Sequence, residues 1–166
     1  MRILIYGAGV IGSLYAALFA EAGYDTNIYA RGKRLEALRN NGLQYKKNQE
    51  VIKAEIRILG ELPNNDIYDF VLLTVRENQL YEALVELKNN KSNTIVTMIN
   101  SLDSYNKWEN IVGKGRILPA FPGAGGSINE YFSLCTIAIL NDYAGSYIWK
   151  QFWRYIYVST CYEGTR

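Results

Sequence analysis

Apolar runs of strand length alternate along the chain with segments whose apolar residues recur at helical spacing. Ile3-Leu4-Ile5-Tyr6 is continuous, partly β-branched, and predicts a buried strand. Leu14, Ala17, Leu18, Ala20 and Ala22 then form a compact apolar face on a helix that stops at Gly23. Thr26-Asn27-Ile28-Tyr29 predicts a second strand, and Leu35, Leu38 and Leu43 with the stop Asn40-Asn41-Gly42 a short second helix. From Gln44 to Leu59 polar and apolar residues alternate about Lys46-Lys47-Asn48-Gln49, which predicts a β excursion with a turn at that tetrapeptide. Glu61-Leu62-Pro63-Asn64-Asn65 carries a loop signal.

The rhythm continues beyond Asp69. Phe70-Val71-Leu72-Leu73-Thr74-Val75 has the unbroken apolar character of a parallel strand covered on both faces. Glu77 to Lys88 predicts a helix with Leu80, Leu84 and Leu87 on one side, and Thr94 to Ile99 the next strand. A helix around Trp108, from Leu102 to Val112, and a short strand, Gly115 to Leu118, follow. Phe121-Pro122-Gly123-Ala124-Gly125-Gly126-Ser127 reads as a glycine-rich loop, able to approach a ligand or simply to flex. Leu134 to Leu140 predicts another strand. Asp142 to Val158 places Ile148, Phe152, Trp153 and Ile156 at helical spacing, a stripe for core or interface. Regular strand–helix alternation predicts an α/β fold, a doubly wound parallel sheet with right-handed crossovers.

Between the first strand and the first helix stands Gly7-Ala8-Gly9-Val10-Ile11-Gly12. A G-x-G-x-x-G that leaves a strand, opens a helix and precedes a second strand is the fingerprint of a Rossmann dinucleotide-binding fold. The first glycine permits the tight turn, the second lets the backbone approach a pyrophosphate, and the third lets helix and strand pack closely. The helix start then offers the phosphates its amides and the positive end of its dipole. A glycine-rich turn that binds nothing is the competing reading, and the full strand–turn–helix–strand context weighs against it.

The end of the second strand bears on which dinucleotide. Sites for NAD place an Asp or Glu about 20 residues beyond the glycines, where it accepts hydrogen bonds from ribose hydroxyls. Here the strand runs into Ala30-Arg31-Gly32-Lys33-Arg34, with no acid until Glu36. Arg31, with Arg34 beside it, is the candidate grip on a 2′-phosphate, which predicts NADP(H) rather than NAD(H). A solvated basic helix start would read the same way. Residues 1–140 are expected to form the Rossmann NADP-binding domain, and 141–166 a C-terminal helical, aromatic segment.

Composition narrows the classes further. The 166 residues are 49% hydrophobic and 20% charged, as in a globular domain. A formal net charge of +2 argues for neither nucleic acid nor an anionic membrane as partner. Arg2 and the apolar residues after it imitate a secretory signal as far as Ala22, but the three spaced glycines and Glu21 argue against one. No run has transmembrane length. Cys135 and Cys161 imply no disulfide framework, which suits a cytoplasmic setting. With no His in the chain, His-based catalysis and a His-ligated zinc site are excluded, and no metal site is expected.

Ligands of doubly wound sheets lie outside the carboxyl ends of the strands. Three segments meet there on this reading: the glycine turn, Val75-Arg76-Glu77-Asn78-Gln79, and Ile99-Asn100-Ser101. Val75, Arg76, Gln79 and Asn100 are therefore candidate cofactor residues; the alternatives are an Arg76 ion pair and an Asn100 helix cap.

At these residues the chain resembles the ketopantoate reductase (2-dehydropantoate 2-reductase) family. The resemblance spans Arg2 to about Gly126. It rests on Gly7 through Tyr15, on Ala30-Arg31-Gly32 through Gly42-Leu43, on Val75-Arg76 with Gln79, and on Asn100. It implies an NADPH-dependent reduction of a 2-oxo acid to the 2-hydroxy acid, with Arg31 at the 2′-phosphate and Asn100 positioning nicotinamide and substrate. The family has Lys at the position of Arg76 and Gly at that of Ser101, so the 2-oxo acid can differ from ketopantoate. The family's catalytic Lys and substrate-binding acid belong to a helical C-terminal domain, and no Lys of this chain takes that role. On this reading the stripe near Phe152 faces a partner, with a homodimer expected. A short-chain dehydrogenase is disfavoured because Tyr147 and Lys150 miss that family's spacing by one residue, and a flavoprotein by the missing strand-end acid. A non-enzymatic dinucleotide-sensing module is the alternative of a different class.

Overall fold

The switch from strand to helix and back builds two sheets around one central helix. A computed structural model describes residues 1–47, 49–122, 124–129 and 134–139. Its larger sheet has six strands, all parallel: β1 (Arg2–Tyr6), β2 (Asp25–Tyr29), β5 (Arg57–Leu59), β6 (Phe70–Leu73), β7 (Ile95–Thr97) and β8 (Ile117–Pro119). They lie in the order β5-β2-β1-β6-β7-β8. The chain steps outward from β1 through β2 to β5, then returns to the other side of β1 and steps outward again. Leaving out the intervening hairpin of β3 (Leu43–Lys47) and β4 (Glu50–Ala54), this is the doubly wound order, with its crevice between β1 and β6.

Strand periodicity divides the core between the two faces of this sheet. Ile3 and Ile5 pack with Ala16, Ala17 and Phe19 of α1 (Val10–Glu21) and with Leu38 of α2 (Gly32–Asn41). Leu4 and Tyr6 point the other way, into Leu80, Leu84 and Leu87 of α3 (Leu80–Asn89) and Trp108 of α4 (Tyr105–Val112). Both faces are covered, so β6 reads as an unbroken apolar run and its last three residues are fully buried.

The smaller sheet, ordered β4-β3-β10-β9, adds β9 (Ala124–Ile128) and β10 (Leu134–Ile139). Its β10 runs parallel to β3 and antiparallel to β9. Helix α1 packs against β1 and β2 of the first sheet and against all four strands of the second. A helix held between two sheets needs apolar residues nearly all round, and Leu14, Ala16, Ala17 and Phe19 are all buried.

Several elements depart from the pattern-based expectations. Residues Ala124–Ile128 form a strand rather than the predicted glycine-rich loop, because β10 supplies the ladder partners and small residues let α1 approach. Arg57–Leu59 leaves the β excursion and joins the main sheet beside Asn27–Tyr29. The third helix starts as a 3-10 turn, Glu77–Gln79, where the Gln79 side chain accepts from the Arg76 amide at 3.3 Å. The fourth helix begins at Tyr105, not Leu102. The Asp103 amide donates to Ser101 Oγ at 3.1 Å, a local turn that competes with helix, and Ser104 takes the N-cap position. Leu140 and the aromatic stripe of Ile148, Phe152, Trp153 and Ile156 lie outside the described residues, as does Gly123. No helix among the described residues is long and apolar enough to cross a membrane, and none of their acidic or cysteine side chains group as metal ligands.

Trp108 is fully buried where α4 meets α3, with Tyr105 edge-on to its ring. Trp108→Ala is expected to lower the unfolding free energy by about 3–5 kcal/mol. Val85→Ala, on the exposed side of α3, should change it by no more than about 0.5 kcal/mol in the same urea titration.

Candidate functional site

Strand β1 ends against the crevice, and the chain there turns sharply into α1. Gly7 takes φ +110°, a conformation L side chains rarely adopt, and its amide donates to the Tyr29 carbonyl at 3.1 Å. A Cβ on Gly12 would lie 1.9 Å from the Gly7 carbonyl oxygen and 2.6 Å from Thr74 Oγ1. The third glycine therefore fills a contact that only hydrogen can fill. Thr74, just past β6, locks the arrangement from the neighbouring strand: its hydroxyl donates to the Gly7 carbonyl at 2.7 Å and its amide to the Tyr6 carbonyl at 2.9 Å.

Gly9 is different. It is exposed, and a Cβ there would meet nothing within 4 Å. It stands at the N-cap of α1, where no side chain caps the helix and no acid occupies the first turn. Packing does not demand glycine at this position, and the bare backbone leaves room for a group to come close. The positive end of a helix facing an open cradle suits a pyrophosphate, so the residues fit the phosphates of a dinucleotide. Around the cradle, Ala8 and Gly12 are buried and Val10 and Ile11 half-buried, which leaves the turn stiff on its protein side.

The two arginines after β2 have separate tasks. Arg34 reaches back from α2, its Nε donating to the Ala8 carbonyl and a terminal nitrogen to Ser13 Oγ, each at 2.8 Å. It braces the glycine turn from behind. Arg31 instead lies across the far side of the sheet. Its guanidinium donates to Glu82 Oε1 at 2.5 Å, Glu86 Oε2 at 2.5 Å, the Tyr6 hydroxyl at 2.7 Å and the Tyr29 hydroxyl at 2.9 Å. The phenols of Tyr6 and Tyr29 in turn donate to Glu86, Tyr29 at 2.9 Å. Burial, and then the hydrogen bond to Glu86, push the Tyr6 phenol well above its ordinary range, so it stays a donor. Burial also raises Tyr29, against the pull of Arg31. Glu82 and Glu86 come from α3, about fifty residues beyond Arg31 in sequence, and no pattern near β2 announces them.

The remaining candidates line the carboxyl edge. Val75 and Arg76 follow β6, with Val75 half-buried and Arg76 exposed and without an ion pair among the described residues. Gln79 is spent on the turn beneath Arg76. Asn100 follows β7 directly after buried Met98 and Ile99 and is exposed. It caps no helix, since α4 begins later at Ser104 and Tyr105. The structure thus brings the glycine turn, Arg76 and Asn100 to one edge of the sheet and leaves Arg34 behind the turn.

An all-parallel sheet in doubly wound order, with a glycine turn at its reversal, defines a Rossmann-type α/β domain. Residues 3–131 match the ketopantoate reductase PanE/ApbA family, and the chain belongs to that family of oxidoreductases. A 2-dehydropantoate 2-reductase of Mesorhizobium japonicum is 35% identical over 105 residues, 61% of this chain and 32% of the relative. That of Pyrococcus horikoshii is 30% identical over 118 residues, 69% of this chain and 38% of the relative. The chain thus spans about a third of the length of these relatives. Among solved structures, D-mandelate dehydrogenase with NADH and anilino(oxo)acetate superposes with a TM-score of 0.78 at 18% identity, over 96% of this chain and 55% of that one. The 2-dehydropantoate 2-reductase of Geobacter metallireducens GS-15 gives 0.74 at 17% identity, over 96% and 56%. At these identities the structures speak for a shared fold.

The contrast between the glycines is directly measurable. Gly12→Ala is expected to cost about 3 kcal/mol or more, because backbone rather than a yielding side chain meets the new methyl. Gly9→Ala should stay within about 0.5 kcal/mol of wild type by the same chemical denaturation.

Proposed function

We propose that this chain is the cofactor domain of a nicotinamide-dependent reductase that converts a 2-oxo acid related to ketopantoate to the 2-hydroxy acid, with NADPH preferred over NADH. The observation that carries it is the open cradle at Gly9, set at the reversal of the sheet in a chain of the ketopantoate reductase family. On this reading residues 1–140 are the NADP-binding domain and 141–166 lead toward the remainder of a longer enzyme.

The roles follow from the chemistry of each group. The backbone from Gly7 to Gly12 and the start of α1 hold the pyrophosphate, while Arg34 and Thr74 keep that turn in shape. Arg31 answers a 2′-phosphate, since a guanidinium matches its geometry and charge. Arg76 and Val75 border the cofactor after β6. Asn100 offers an amide that donates to a carbonyl oxygen and accepts from the nicotinamide, positioning the two for reaction. The bound nicotinamide supplies the hydride; the protein must orient the carbonyl and deliver a proton to its oxygen. The groups assigned to the cradle are backbone amides, arginines and neutral side chains, and the family resemblance assigns the proton donor's task to a lysine of a C-terminal domain. The enzyme acts in solution on a small anionic substrate, with neither nucleic acid nor membrane as partner, in the cytoplasm.

Gly9→Val is expected to abolish NADPH binding while leaving the melting curve near that of wild type, read by calorimetry and circular dichroism. Arg31→Ala should cut the NADPH-to-NADH affinity ratio about tenfold to a hundredfold, the worth of a charge-assisted phosphate contact. An unchanged ratio would refute the 2′-phosphate assignment.

Turnover provides a separate check. The 166-residue chain is expected to bind NADPH and yet to oxidise it with ketopantoate at least about 10²–10⁴-fold more slowly than a full-length relative, because a positioned acid is missing. Comparable turnover would overturn the division of labour between cofactor domain and catalytic remainder.

A further inference from the structure

Resting on the reading of Arg31 as the 2′-phosphate group's partner, we infer that Glu82 of α3 is a specificity-determining residue for the dinucleotide, acting as a latch that a 2′-phosphate must displace from Arg31. The guanidinium has five N–H groups. Four contacts already engage it: Nε with Tyr29, one terminal nitrogen with Glu82, and the other with both Tyr6 and Glu86. A forked grip on phosphate needs two neighbouring N–H groups, so one of the carboxylates has to give way.

The two carboxylates are not equally held. Glu86 accepts from Tyr6, Tyr29 and Arg31 together, and its side chain is only 30% exposed. Glu82 is 71% exposed, and its hydrogen bond and ion pair are with Arg31. The weaker attachment belongs to Glu82, which swings into solvent at little cost. Glu86, buttressed by two phenols, stays and keeps the guanidinium oriented.

The latch works in opposite senses on the two nucleotides. One formal positive charge and two formal negative charges meet at this point. A 2′-phosphate brings acceptors and no donor, so it competes with the Glu82 carboxylate for the same N–H groups of Arg31. A ribose 2′-hydroxyl is a donor, and a carboxylate accepts from it, as NAD sites exploit. Glu82 therefore moderates the preference that Arg31 creates, and the sequence around β2 overstates the selectivity for NADPH.

The test is a double-mutant cycle on the 166-residue chain, with Kd for NADPH and NADH measured by calorimetry. Glu82→Gln is expected to tighten NADPH about two- to fivefold, the worth of an exposed ion pair, and to leave NADH unchanged or weaker. In the Arg31→Ala background the same substitution should give no gain for NADPH. A ratio unmoved by Glu82→Gln, while Arg31→Ala still lowers it, would overturn the latch and leave the proposed cofactor reading standing. A gain that persists without Arg31 would also overturn it, showing bare charge repulsion instead. If Arg31→Ala leaves the ratio untouched, the cofactor reading falls and the latch with it.

Discussion

The approach of α1 to the end of β1 fixes the shape of the glycine turn at the carboxyl edge of the main sheet. Gly12 lies so close to the Gly7 carbonyl that no side chain fits between them, and Thr74 ties the same carbonyl to the next strand. Helix, turn and two strands are thereby fixed to one another through backbone. Backbone contacts of this kind are unforgiving because neither partner can rotate away. The result is a turn whose outer side, at Gly9, is left open while its inner side is rigid. Preorganisation of this sort lets a site bind phosphate without first paying to order the loop.

The same helix explains the domain's architecture. Covered by the main sheet on one side and by β3, β4, β9 and β10 on the other, α1 is central rather than peripheral. Its small residues, Ala16 and Ala17, permit that double contact. The hairpin inserted between α2 and β5 therefore extends the core instead of decorating it: Leu43, Tyr45 and Ala54 belong to the cluster of Ile3, Ile5 and Phe19.

Charge is placed with equal economy on the other face. Arg34 serves the turn, and Arg31 joins Tyr6, Tyr29, Glu82 and Glu86 in a network that bridges β1, β2 and α3. Tyr6 and Tyr29 lie with ring centroids 4.7 Å apart, so their apolar bodies belong to the core while their hydroxyls reach the charged edge. The network holds the Arg31 guanidinium in one orientation and sets its charge against that of two acids.

Local pattern determined the parts that depend on near neighbours in the chain. The strands at Arg2–Tyr6 and Phe70–Leu73 (the latter two residues shorter than its apolar run to Val75), the helix Val10–Glu21 and the glycine turn itself are all legible, because burial on both faces and a tight turn leave direct marks on residue type. Boundaries at Tyr105 and Leu80 were less legible, since side-chain bonds from Ser101 and Gln79 decide them. What only the tertiary structure decided depends on long-range pairing. Ala124–Ile128 becomes a strand because β10 lies beside it, and glycine content carries no record of that partner. Asn100 stands clear of α4 because the helix starts later than its apolar residues suggest. Most of all, Glu82 and Glu86 reach Arg31 across the sheet, through the packing of α3 on β1 and β2. Electrostatic environment is a property of space, and two acids about fifty residues away in sequence pair with an arginine whose immediate neighbours offered it none.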